Sequence, residues 1–199
     1  ILRTKKDFVQ ANNVINRADG YLANNPDITA EKVKLYTAQE RNTELISLFR
    51  QLQANGCLTQ QYCFNLALLL RIEGKAKQAL SYFQQLVQQG MDNYQLNHNL
   101  GNVYSDLGEL PLAIEYYQKS IAHNPLYLES HINLNELLWE VGRTDQFLSS
   151  YVQVLAIHPA DAGLNFTYVK ALVRTNNIEQ AKYFLTNVPS QLKNHADFF

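Results

Sequence analysis

Charge is scarce in this sequence. Of its 199 residues only 18% are Asp, Glu, Lys or Arg, and they sum to a formal charge of −1. So even a balance offers no basic stripe to neutralise phosphates, which excludes nucleic acid as an expected partner. An anionic membrane surface is excluded on the same ground. Cysteine is almost missing: Cys57 and Cys63 are too few for a disulfide framework, and their spacing is not a metal-ligand spacing. Cys63 falls on an apolar helix face and reads as a small core residue, which suits a reducing, cytoplasmic setting. Long apolar runs are missing too. The longest is Leu66–Leu70, whereas a spanning helix needs about 20 residues. No Gly-rich phosphate loop, zinc-type Cys/His set or nucleophile elbow is present. The chain itself is therefore not expected to be an enzyme, and no cofactor or metal is expected.

What is present is a period. Gly74, Gly108 and Gly142 are evenly spaced, and the next equal step lands on Asn176, the residue that best replaces glycine at a left-handed position. Each follows an apolar-periodic segment and is expected to end the first helix of a hairpin. Other positions move in the same register. Leu66, Leu100, Leu134 and Tyr168 form one set, and Leu70, Tyr104, Leu138 and Leu172 another. On the second helices Ala79, Ala113, Phe147 and Ala181 align, as do Phe83, Tyr117, Tyr151 and Leu185. A small residue lets two helices cross closely while a large one fills the space beside it. Phe147 breaks that rule, so the third hairpin should be splayed or repacked. Asn124-Pro125 and His158-Pro159 end second helices, because proline cannot continue them.

The segment Asn99-Leu-Gly-Asn-Val-Tyr104, followed by Gly108, Ala113, Tyr117 and Pro125, resembles the signature of tetratricopeptide repeats. The constant interval, about 34 residues, is also the length of that repeat. The resemblance implies an all-α fold: a right-handed α-solenoid of antiparallel helix hairpins, with a concave groove lined by first helices. Four repeats are expected at 60–93, 94–127, 128–161 and 162–195. Residues 1–59 read as irregular capping hairpins, with 6–24 as the second helix of an earlier hairpin and 29–39 and 42–54 as a shortened pair. Residues 190–199 read as the start of a further helix. The chain opens Ile1-Leu2-Arg3 and closes Phe198-Phe199. It reads as a piece of a longer protein, with apolar ends suited to self-association.

One position is not demanded by the fold. The residue before the signature leucine is Asn65, Asn99 and Asn133, then Thr167. This asparagine ladder resembles that of O-GlcNAc transferases, which implies that the amides hold the backbone of an extended peptide. The chemistry fits, since a primary amide offers two donors and an acceptor and brackets a peptide unit without reading its side chain. The other reading is that these amides cap or bridge neighbouring helices. Further groove positions expected from the register are Phe64, Arg71, His98, Asn102, Ile132, Glu136, Trp139, Phe166 and Lys170. Trp139, the single tryptophan, is either an anchor for the ligand or a packing residue. The expected partner is thus a protein or extended peptide, met by Asn65, Asn99, Asn133, Asn102, Trp139, Phe166, His98 and Lys170. A basic clamp for a C-terminal carboxylate is disfavoured, because His98 and Phe64 stand where paired lysines would be needed.

The run Leu134–Trp139 with Phe147–Tyr151 also resembles repeat arrays that precede bacterial 2-oxoglutarate/iron oxygenase domains, and similar arrays precede sulfotransferases. That implies an alternative: an accessory, substrate-presenting or dimerisation region of a larger enzyme, of one of these classes or a glycosyltransferase. His195-Ala196-Asp197 matches half of an iron triad and reads as chance. His98 and His131, on successive first helices, lack a third ligand.

Overall fold

The computed structural model describes residues 5–21 and 25–187, and those residues contain eleven helices and no strand. They are α1 (Lys5–Tyr21), α2 (Pro26–Ala38), α3 (Asn42–Ala54), α4 (Gln60–Ile72), α5 (Ala76–Gln88) and α6 (Tyr94–Asp106). There follow α7 (Leu110–His123), α8 (Leu128–Glu140), α9 (Thr144–Ile157), α10 (Ala162–Arg174) and α11 (Ile178–Asn187). The chain divides between Gln89 and Gly90 into two compact units. In the first, α2 pairs with α3 and α4 with α5; in the second, α6 pairs with α7, α8 with α9 and α10 with α11. The architecture is an all-α helical repeat. The expected helix over 190–199, the apolar ends and the His195–Asp197 motif lie outside the described residues.

The two kinds of helix start differently. Most first helices carry a side-chain cap: Asn25 accepts from the backbone N–H of Asp27 and Ile28, Thr59 from Tyr62, Asn93 from Leu96 and Asp161 from Leu164. Each cap satisfies amides that the helix cannot. The second helices α3, α5, α7 and α9 have no such cap. They are set by the turn before them. Glu40, Gly74, Gly108, Gly142 and Asn176 all have positive φ, and the next residue's N–H reaches back to a first-helix carbonyl. These bonds are Arg41 to Tyr36, Lys75 to Leu70, Glu109 to Tyr104, Arg143 to Leu138 and Asn177 to Leu172, at 2.8–2.9 Å.

This geometry corrects the expectation of a shortened pair near the start. Helices α2 and α3 have 13 residues each, the length of α4 and α5, and they begin one full repeat period before them. Asn25 and Pro26 open α2 earlier than expected. Glu40, at φ 54°, takes the left-handed position in spite of its side chain. Lys32 and Leu45, at the places of Leu66 and Ala79, disguise the register.

Within the hairpins, spacing is set by the smallest residues. A Cβ added to Gly101 on α6 would lie 2.6 Å from the Tyr117 ring on α7, and Ala113 beside it is fully buried. Glycine and alanine therefore let α6 and α7 touch. The third hairpin has Asn135 and Phe147 at those two places, and α8 and α9 approach each other less closely. The hairpin is repacked, as expected: Phe147 is buried, tilted against Trp139 at 5.3 Å and edge-on to Tyr151 at 5.2 Å. The Asn135 side chain is fully buried, and neither end of its amide has a hydrogen-bond partner.

Two outcomes follow for stability. Replacing Glu40 by glycine removes the cost of a side chain in the left-handed region and should stabilise unit 1 by about 1 kcal/mol, read as a rise in thermal midpoint. A fall would refute this account of the turn. Gly101→Ala should destabilise by roughly 1–3 kcal/mol through overpacking, while Asn135→Ala, which removes an unpaired buried amide, should leave the midpoint unchanged or raise it. Equal losses in both variants would contradict the packing argument.

Candidate binding surface

The sequence-expected site residues of unit 2 lie on α6, α8 and α10. The Asn99 side chain is partly exposed. Its Nδ2 donates to the Gln95 carbonyl one turn back at 2.8 Å, and its Oδ1 has no partner among the described residues. The Asn133 Nδ2 donates to Asn102 Oδ1 at 2.8 Å. That same oxygen accepts the Tyr117 hydroxyl at 2.8 Å. A polar bridge therefore links α8, α6 and α7, and it orients the Asn133 amide. The Thr167 hydroxyl, in the same register position on α10, donates to carbonyls of its own helix. In unit 1, Asn65 occupies this position on α4, and its Oδ1 accepts from Gln61 at 3.1 Å.

Spacing marks Tyr117 as core, and its ring is core; its hydroxyl is what spacing cannot place. The signal is the residue type. Phe83 has no hydroxyl at this position, whereas Tyr117 and Tyr151 do. Tyr151 repeats the theme one hairpin later. Burial raises its phenol pKa, against the Thr167 side chain, which lowers it; Glu136 raises it and Arg174 lowers it.

Asn102 and His98, expected on an open groove, are 7% and 8% exposed. They serve helix packing, because the neighbouring helices cover that face of α6. His98 Nδ1 meets Ser130 Oγ at 3.0 Å; Ser130 donates to Ser120 Oγ at 2.7 Å, and Ser120 donates to the Tyr94 carbonyl at 2.8 Å. Both serine protons are thereby committed, so His98 must donate through Nδ1. That tautomer cannot take a proton from Ser130, and both serines are fully buried. The contact is a structural chain of hydrogen bonds rather than a nucleophile and its base.

Trp139, Phe166 and Lys170 take part in two cation–ring pairs, one of them with a residue that the register does not single out. The Lys170 ammonium lies 4.3 Å from the Phe166 ring centroid, and the Arg174 guanidinium 5.7 Å from that of Trp139. Trp139 thus packs on Phe147 and also meets a cation. Lys170 and Arg174 are exposed and sit one turn apart on α10. Each contact contributes roughly 0.5–1 kcal/mol at an exposed site and presents a cation in a fixed place.

His98 and His131 do not share a ligand. His131 is 2% exposed; its Nε2 contacts the Pro125 carbonyl at 3.0 Å and its Nδ1 has no partner. Among the described residues no group of three or more His, Cys, Asp or Glu could hold a metal ion. No described helix is long and apolar enough to cross a membrane. Burial lowers the His131 pKa, and the neighbouring His158 lowers it further, against the Pro125 carbonyl, which raises it. The folded protein resists protonating His131, while the unfolded chain protonates near the ordinary value of about 6.5. Stability should therefore fall as pH drops below about 6.5. Denaturant midpoints measured from pH 7.5 to 5 should show a drop that His131→Gln reduces; identical slopes in the two proteins would count against it.

Residues 60–88 and 95–127 each match a family model described as Tetratricopeptide repeat. No curated protein sequence matches the chain. Solved structures similar in fold include PilW, a type IV pilus biogenesis factor, with 17% identity over 96% of this chain and 89% of that one and a TM-score of 0.73. A tetratricopeptide repeat protein from Parabacteroides merdae shows 18% identity over 97% of this chain and 77% of its own, with a TM-score of 0.70. YrrB, described as having an unusual peptide-binding site, shows 18% identity over 92% of this chain and 94% of its own, with a TM-score of 0.66.

Proposed function

The chain carries tetratricopeptide repeats, the repeats of protein-interaction scaffolds, and on that premise we propose that unit 2 holds an extended polypeptide against its first helices. The observation that carries this reading is Asn99. Its amide is partly exposed and bonds only to the turn below it, so hairpin packing does not require it. Asn133 repeats it one period on, with its Nδ2 already steered by Asn102. Amides at this spacing can bracket peptide groups, each bond contributing about 0.5–1.5 kcal/mol net. That alone gives weak, sequence-tolerant holding. Trp139, half-buried beside Arg174, and Phe166 beneath Lys170 add apolar area and charge where a bound side chain would lie. The peptide-binding site in the description of YrrB belongs to that protein and supports this reading by analogy of fold only.

Asn99 gives the clean test, since Asn133 also braces Asn102. A peptide selected from a randomised phage-displayed library should bind, as read by fluorescence anisotropy. Asn99→Ala should weaken it by about fivefold, the loss of roughly 1 kcal/mol. The double variant with Asn133→Ala should weaken it further, while far-UV circular dichroism of the Asn99 variant stays unchanged. Wild-type affinity in the Asn99 variant would remove the ladder from the binding site.

A further inference from the structure

A second site lies between α7, α8 and α9, away from the ladder residues. It traces to a single register position on the second helices. That position holds Leu48, Tyr82, Tyr116, Ser150 and Phe184, one residue per repeat period. Four of the five are large, and Ser150 alone is small.

The large residues show what the position normally contains. On α5 the Tyr82 hydroxyl donates to Gln53 Oε1 at 2.7 Å. On α7 the Tyr116 ring stacks on Tyr104 of α6, with centroids 5.2 Å apart and planes at 18°. In the third hairpin the two members of that stacked pair are replaced by Leu138 and Ser150. One ring is lost outright and the other shrinks to an isobutyl group. What remains is a half-open cleft of about 190 Å³. An engineered cavity of about 150 Å³ is large enough to bind benzene, so the cleft holds a single six-membered ring.

Its chemistry selects which ring. Ile121, Leu134 and Leu138 supply an apolar floor, and Gln118, Gln153 and Ser150 line it with amides and a hydroxyl. Among the described residues no charged side chain lines it, so a carboxylate, ammonium or phosphate finds no counter-ion among them. Ser150 is 7% exposed, and its hydroxyl has no hydrogen-bond partner among the described residues. Lining an open cleft, that hydroxyl is available to a ligand group that enters it. We infer that this cleft receives the phenol ring of a tyrosine from a partner polypeptide, placed where the chain's own Tyr116 lies one hairpin earlier. The ring covers Leu134 and Leu138, and its hydroxyl exchanges hydrogen bonds with the glutamine amides and Ser150.

The test uses p-cresol and N-acetyl-tyrosine amide as probes in ¹⁵N-resolved NMR titrations of the whole chain. Both should give saturable shifts centred on the Gln118 and Gln153 side-chain amides, with N-acetyl-tyrosine amide binding at least as tightly. Ser150→Tyr fills the cleft from within; it should raise the thermal midpoint and weaken both probes by about tenfold or more. Ser150→Phe, the residue type that Phe184 puts at this position, is a second filled variant should the first fold poorly. Three results would overturn the inference. They are no saturable shift in the wild type, unchanged binding in a folded filled variant, or binding of p-cresol with N-acetyl-tyrosine amide excluded, which would make the cleft a site for small free phenols.

Discussion

One backbone hydrogen bond, made again at each hairpin turn, fixes the phase of the fold. The residue after a left-handed one donates its N–H to the carbonyl five positions earlier, from Arg41 to Tyr36 through Asn177 to Leu172. This closes the end of a first helix, whose last carbonyls would otherwise be unpaired. It also decides where the second helix begins, and so which of its side chains face back. A second helix one residue out of phase would turn Ala113 away from Gly101 and leave Tyr117 nothing to pack on. The bond itself tolerates several residue types at the left-handed position, namely Glu, Gly and Asn, because it uses only main-chain atoms. The side chain is strained there, but the geometry survives.

Close packing then follows where the sequence permits it. Between α6 and α7 the chain offers Gly101 and Ala113, and the helices meet with no room for one further carbon. Between α8 and α9 it offers Asn135 and Phe147. The same turn, with Arg143 bonded to Leu138 at 2.9 Å, feeds a hairpin that must stand wider. The consequences are all local. Trp139 leans on Phe147, Asn135 is stranded without a partner, and Ser150 leaves a cleft. Such departures from the local rules tend to gather where a protein does something other than fold, and both proposed sites draw on α8.

The repeat is legible in the sequence because its marks are backbone marks. Gly74, Gly108, Gly142 and Asn176 are residue types that left-handed φ selects, so their spacing reads directly. Glu40 does not, because glutamate is no signal for that conformation; its hairpin reads as shortened because Asn25-Pro26 resembles the Asn-Pro pair that ends a second helix, whereas here it opens α2. On the candidate surface, the register gives the helix face but not its covering. His98 and Asn102 lie within a turn of Asn99, yet neighbouring helices bury them and leave Asn99 partly open. Which side of that boundary a residue falls on depends on side chains of the partner helix and of the next hairpin, such as Tyr117, Ser130 and Asn133, and no short-range pattern encodes it. The pairing of Arg174 with Trp139 across α10 and α8 is of the same kind.

The register also bears on what sort of ligand the first helices suit. At one position per hairpin the residue stays an amide, Asn99 and Asn133, before giving way to Thr167. Three places further along, the position is buried as Asn102 on α6 but exposed as Glu136 on α8 and Lys170 on α10. A periodic donor set matches something periodic in the ligand, and the part of a polypeptide that repeats regardless of sequence is its backbone. A position that turns from acidic to basic matches something that does not repeat, and in a polypeptide that is the succession of side chains. Folded globular surfaces lack this combination of a regular track and irregular flanks, whereas an extended chain has both. On the proposed reading, the few charges on these helices select a ligand's side chains rather than merely attract it from a distance.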